Sequence, residues 1–256
     1  MKQILLALIL PLLAAFPAAA DTKAPLIPAP PALAARSWIL IDWQSRQPLV
    51  VKDADKRVEP ASLTKLMTAW LVFDALKQKR ITLDQLMTVS DRGYRAVGSR
   101  MFLEPRIPAT IEDLMKGMIV QSGNDATITL AEAVAGNEST FAVLMNQYSK
   151  KLGMTGSNWT NSPGLPDPKH YTTARDLALL SAAIIREFPQ YYRYYSQREF
   201  TYNGITQQNR NGLLERDPTV DGIKTGHTES AGYCLASSAL RNGMRLVSVV
   251  MGTTGF

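Results

Sequence analysis

The chain has 256 residues, is 46% hydrophobic and 20% charged, and carries a formal net charge of +6. That balance suits a folded globular chain with one sizeable core and excludes a disordered, collagen-like or multi-pass membrane protein. The basic residues are scattered and not interleaved with aromatics, so the excess charge reads as a solvated surface and nucleic acid is not an expected partner.

Taken in chain order, Met1-Lys2 is followed by an almost wholly apolar run from Ile4 to Phe16, and Ala18-Ala19-Ala20 precedes Asp21. Residues 1–20 therefore read as a cleaved secretory signal peptide, which places the protein in the periplasm or on the outer face of the cytoplasmic membrane. Residues 21–36 are rich in Pro and Ala and read as an extended linker. The folded domain is expected over 37–256. Trp38–Trp43 and Leu49–Lys52 read as a hairpin turning at Gln44–Gln47. Ala61–Lys77 reads as a helix that is apolar on nearly every face, which puts it in the middle of the protein. Thr110-x-x-Asp113 opens a helix running toward Val120. Asp125–Ala135 and Phe141–Leu152 follow, closed by Gly136 and Gly153, and Thr173-x-x-Asp176 opens a fourth helix running to about Phe188. Gly222–Thr228, Tyr233–Leu240 and Met244–Met251 read as a meander, with Asn242-Gly243 as its last tight turn. A hairpin, a helical block and a meander predict an α+β fold: a five-stranded antiparallel sheet flanked by helices, with a helical lobe.

Three short motifs carry chemistry. Ser62-Leu63-Thr64-Lys65 puts a serine and a lysine on one face at the start of the apolar helix. Burial there disfavours the ammonium, and a second cation, Lys224, disfavours it further. A neutral Lys65 could take the proton of Ser62 and make it a nucleophile, while free N–H groups at the helix start suit an oxyanion. Ser122-Gly123-Asn124 falls between two helices. Ser122 is placed to relay a proton from Lys65 to a leaving amine, and the Asn124 amide to hold both the lysine and a substrate carbonyl. Lys224-Thr225-Gly226 falls on a strand, where Gly226 would let a substrate peptide lie close and Lys224 and Thr225 would meet its negative terminus. Each motif alone is ordinary helix surface, turn or strand end. In this order, on these elements, they resemble the set found in class A β-lactamases and penicillin-binding proteins.

The flanking sequence narrows the resemblance. Glu59–Ala69 (EPASLTKLMTA), Gly98–Phe102 (GSRMF), Ser122–Ala126 (SGNDA), Arg210–Leu214 (RNGLL) and Val220–Thr228 (VDGIKTGHT) resemble the low-molecular-mass D-alanyl-D-alanine carboxypeptidases, from about residue 37 onward. The resemblance implies a β-lactamase/transpeptidase-like fold and an acyl-enzyme on Ser62. It also implies an oxyanion hole from the backbone N–H groups of Ser62 and His227, and a carboxylate site from Arg210, Thr225 and Lys224. The implied partners are a peptidoglycan stem peptide and β-lactams, with no cofactor. Neither a HExxH motif nor a Cys/His cluster is present, so no metal is expected.

Other residues are read more plainly. Asp176 matches an acid of the family near the site, or is a capping residue after Thr173. His227 contributes through its backbone, its imidazole lying on the surface, and His170, in a loop with Pro168, is expected to face solvent. Cys234 reads as a small buried hydrophobe. With two histidines a Ser-His-Asp triad is not the natural reading. A class A β-lactamase would need a glutamate in the loop that here reads Asn161–Asp167 (NSPGLPD). A D,D-endopeptidase would use the same residues, whereas a non-catalytic envelope module would not need Ser62, Lys65 and Lys224. The resembled enzymes continue into a further strand, a β-rich domain and an amphipathic membrane helix. Membrane association is therefore expected only through a segment beyond Phe256, and Leu246–Met251 is expected to lack a sheet neighbour without that continuation.

Overall fold

The computed structural model describes residues 29–255; the leader read at 1–20 lies outside them. Five strands form one antiparallel sheet: β1 Ser37–Asp42, β2 Pro48–Lys52, β3 Val220–Thr228, β4 Gly232–Arg241 and β5 Met244–Thr253. Their spatial order is β2-β1-β5-β4-β3. The N-terminal hairpin thus joins the C-terminal meander, Ile39 pairing with Val249 across β1 and β5. Because β5 lies between β1 and β4, the expectation that Leu246–Met251 lacks a neighbour is wrong. The first strand of the domain supplies that neighbour, through a pairing about two hundred residues apart that no local pattern reveals. The turn into β5 takes the left-handed backbone expected of Asn-Gly, with φ of 49° at Asn242 and 78° at Gly243.

Five longer helices follow the pattern read from sequence, apart from shifts at their ends: α1 Lys65–Lys77, α2 Ile111–Lys116, α3 Asn124–Ala135, α4 Glu138–Lys151 and α5 Ala174–Glu187. The Thr110 and Thr173 hydroxyls accept the N–H groups of Asp113 and Asp176, satisfying two otherwise orphaned donors. Residues from Leu66 to Phe73 of α1 are all buried, because α3, α4 and α5 pack around it. A helix apolar all round is stable only in such a setting, and truncating Phe73 to alanine would cost about 3–5 kcal/mol. α5 covers β1 and β5 with its apolar face. Among the described residues, no helix is long and apolar enough to cross a membrane.

Candidate active site

The site forms where the start of α1 meets the edge strand β3. Ser62 lies in a short turn, Ala61–Thr64, wound as a 3-10 helix just before α1, and Lys65 is the first residue of α1. Ala61 enters the turn with φ of 48°, a conformation uncommon for alanine. Gly164 sits against it so closely that a Cβ there would lie 1.9 Å from Ala61 O, and only glycine allows that approach. Gly226 acts similarly from the other side, since a Cβ on it would stand 3.1 Å from both Pro60 O and Ser62 N. The missing side chain of Gly226 therefore lets β3 pack on the Ser62 turn itself. Gly226 also lines the cleft, where the sequence reading has a substrate peptide lie close.

Lys65 is 1% exposed, and its Nζ has three neighbours: Ser62 Oγ at 3.0 Å, Asn124 Oδ1 at 2.7 Å and Pro163 O at 2.9 Å. Two of these are carbonyl oxygens, which can only accept. A neutral amine has two N–H groups for them and one lone pair left, which then faces the Ser62 hydroxyl. Burial pushes the Lys65 pKa well below the usual lysine value, the nearby Lys224 lowers it further, and Asp125 opposes. Lys224 is itself buried and depressed to about 7, by burial and then by Arg210. The Lys224 ammonium donates to Thr225 O at 3.1 Å.

Ser122 follows a π-type turn at Gly117–Gln121 and adopts a left-handed conformation, with φ of 68°. That conformation aims it out of the helical run, as the turn between helices predicted. Among the described residues, its buried Oγ has no hydrogen-bond partner. A buried hydroxyl without a partner is costly in an ordinary core and expected where a substrate completes the network. Asn124, at the start of α3, holds Lys65 with its oxygen and donates Nδ2 to Val97 O. Asp125, expected from the sequence only to open a helix and to stand in the SGNDA motif, has a buried carboxylate that accepts from Met101 N and Leu103 N, fixing the loop that carries Gly98 and Ser99.

A cleft of about 530 Å³ opens at this junction, and Ser62, Ser122, Arg210, Thr225, Gly226 and His227 all line it. Lys65, Asn124 and Lys224 are buried beside it. Gly98, Ser99 and Tyr233 complete the wall, and among the described residues no carboxylate lines it. The His227 ring is exposed and stacks on Tyr233 at 4.1 Å. Two residues fall elsewhere. The Asp176 carboxylate is buried and accepts from Gly156 N and Ser157 Oγ, so it ties down a loop and takes no part in the cleft. His170 is 3% exposed, not solvent-facing as its loop position suggested; its ring is bonded to Thr64 and Thr160. Cys234 is buried, as read. The arrangement can activate a serine, bind an anion at Arg210 and the sheet edge, and exclude water from the lysine beneath.

Comparison with known proteins agrees with that chemistry. The D-alanyl-D-alanine carboxypeptidase family (Peptidase_S11) matches residues 24–255. D-alanyl-D-alanine carboxypeptidase DacA of Haemophilus influenzae is 45% identical over 87% of this chain, and the chain spans 58% of that relative's length. Among solved structures, D-alanyl-D-alanine carboxypeptidase DacD of Francisella tularensis superposes with a TM-score of 0.89 at 33% identity, over 92% of this chain and 70% of its own. Penicillin-Binding Protein D2 of Listeria monocytogenes in its ampicillin-bound form superposes at 0.81 and 30% identity, over 90% and 93%. The fold is that of the penicillin-binding proteins, and the chain belongs to the D-alanyl-D-alanine carboxypeptidase family of serine peptidases.

Proposed function

We propose that this protein is a serine D-Ala-D-Ala carboxypeptidase that removes the terminal D-alanine from peptidoglycan stem pentapeptides and is acylated by penicillins. The observation that carries the reading is the setting of Lys65, whose Nζ lies 3.0 Å from Ser62 Oγ while two carbonyl oxygens take its other contacts, so that in its neutral form the lone pair serves the serine proton. Ser62 Oγ attacks the carbonyl carbon of the penultimate D-alanine as its proton passes to Lys65 Nζ. The oxyanion is held by the backbone N–H groups of Ser62 and His227, as in the resembled enzymes. Collapse breaks the peptide C–N bond, the leaving amine takes a proton relayed through Ser122, and free D-alanine departs. Water then adds to the Ser62 ester and restores the hydroxyl. The substrate's terminal carboxylate meets Arg210, Thr225 and Lys224, which share one end of the cleft or sit against it.

The lack of a carboxylate in the cleft lining favours a slow second step with penicillins over β-lactamase turnover, because no acid stands ready to activate the deacylating water. The apolar leader read at residues 1–20 supports an exported enzyme acting in the periplasm, with the folded domain following the Pro/Ala-rich stretch. Incubation with a D-Ala-D-Ala pentapeptide, followed by mass spectrometry, should show loss of one alanine, together with a long-lived adduct on Ser62 after penicillin. An unchanged pentapeptide and an unlabelled protein would refute the reading.

A further inference from the structure

His170 is a buried titratable group that the mechanism above does not use. Its ring stands edge-on to Trp159, with centroids 5.5 Å apart. Thr160 N donates to Nδ1 at 3.1 Å, so Nδ1 carries no proton in this arrangement. A neutral ring must then carry its proton on Nε2, which lies 2.8 Å from Thr64 Oγ1 and donates to it. Burial keeps the ring neutral by pushing its pKa to about 4, with Asp167 opposing. One nitrogen thus grips the turn containing Ser62, through the fully buried Thr64, and the other grips the loop 160–165.

That loop matters to Lys65. Pro163 O accepts from Lys65 Nζ, and Ser162 O accepts from Thr68 one turn further along α1. Behind it, the Glu138 carboxylate accepts Ser162 N and Oγ. The loop is therefore fastened to α1 below Lys65 and to the Ser62 turn through His170. Without the imidazole, Lys65 Nζ still bonds Asn124 Oδ1 and Pro163 O and Gly164 still packs on Ala61, but among the described residues the turn ahead of Lys65 loses its side-chain link to Thr160, and Ser62 Oγ is held less firmly against Lys65 Nζ.

We propose that His170 is a positioning residue for acylation: its imidazole bridges Thr64 to Thr160 and so fixes Ser62 and Pro163 O together around Lys65 Nζ. This rests on the reading that Ser62 is acylated with Lys65 as base. A displacement of the order of 1 Å at a reacting pair costs up to about a hundredfold in rate. His170→Phe and Thr64→Val should therefore each slow the acylation step by about ten- to a hundredfold at saturating fluorescent penicillin, with little change in initial binding. The double variant should be no slower than the slower single one, because both cut the same bridge. Thr64→Ser, which keeps the hydroxyl, should stay within a few-fold of wild type. A ring that only supports the fold would lower the melting temperature and leave the acylation constant of the folded variants unchanged, and that result overturns the proposal. If His170→Phe does not fold, Thr64→Val decides alone: a wild-type acylation constant refutes the bridge. Nitrogen NMR of the wild-type protein gives an answer independent of activity. The expected signal is an Nε2-protonated ring that stays neutral well below pH 6, beside an exposed His227. An Nδ1-protonated ring, or ordinary titration near pH 6.5, would overturn the bridge. A wild type that takes no penicillin would instead sink the acylation reading itself.

Discussion

The two walls of the cleft each bury a lysine and treat it differently. On the Ser62 wall, Lys65 sits at the start of the most enclosed helix and has a full set of neighbours. On the sheet-edge wall, Lys224 is equally buried, yet among the described residues its ammonium donates to the carbonyl of the next residue alone, with the Arg210 cation close by. The first is an environment for a neutral amine whose lone pair has a fixed direction. The second is a poised charge, half-titrated near neutral pH and short of an anion. The lesson is that burial alone does not assign a role. The neighbours do, because they decide which protonation state is satisfied and which awaits a ligand.

The sharpest way to break this comparison is at the nucleophile. Ser62→Ala should abolish penicillin labelling and D-alanine release together, and a variant that still takes label would move the chemistry off this wall. Next in size is Lys65→Arg, which keeps a cation but never a lone pair. Its acylation rate, followed by stopped flow, should fall by about a thousandfold, within the usual range for losing a general base. A loss of only a few-fold would mean that Lys65 is not the base.

Changes on the other wall should act on binding more than on chemistry. Arg210→Ala should raise KM for the pentapeptide by roughly tenfold, the worth of one hydrogen bond to a charged group, with a smaller effect on kcat. An equal fall in kcat would put Arg210 in the reacting machinery. The smallest effect sharpens the comparison through stability. Burial holds the folded-state pKa of Lys224 at about 7, below the ordinary lysine value of 10.5. Between those values the unfolded chain binds a proton that the folded chain does not, so stability rises with pH across that window. Below about pH 7 the whole cost of the buried charge is present. Lys224→Met should therefore melt higher than wild type at pH 7, by roughly 2–4 °C for each kcal/mol recovered, and the gap should close toward pH 10. A gap that widens with pH would show that Lys224 gains stability from its charge.

Much of this was legible along the chain because the signals are local. The all-apolar face of Leu66–Phe73 announced a central helix, Thr110 and Thr173 announced helix starts, and Asn242-Gly243 announced a turn. Each follows from the chemistry of a few neighbouring residues. The three motifs named Ser62, Lys65, Ser122, Asn124 and Lys224 for the same reason: serine, lysine and amide at fixed spacing have few other uses in combination. What only the tertiary structure decided involves contacts between distant segments. The chain alone could not show that β5 closes against β1, that Gly226 and Gly164 clear space for the Ser62 turn, or that Asp176 faces a loop. Nor could it show that His170, in a loop with a proline, turns inward to meet Thr64. Sequence determines which groups are available and which local shapes they prefer. The partner of a buried polar group is chosen by whichever remote segment arrives within about 3 Å of it, and that is fixed only when the whole core packs.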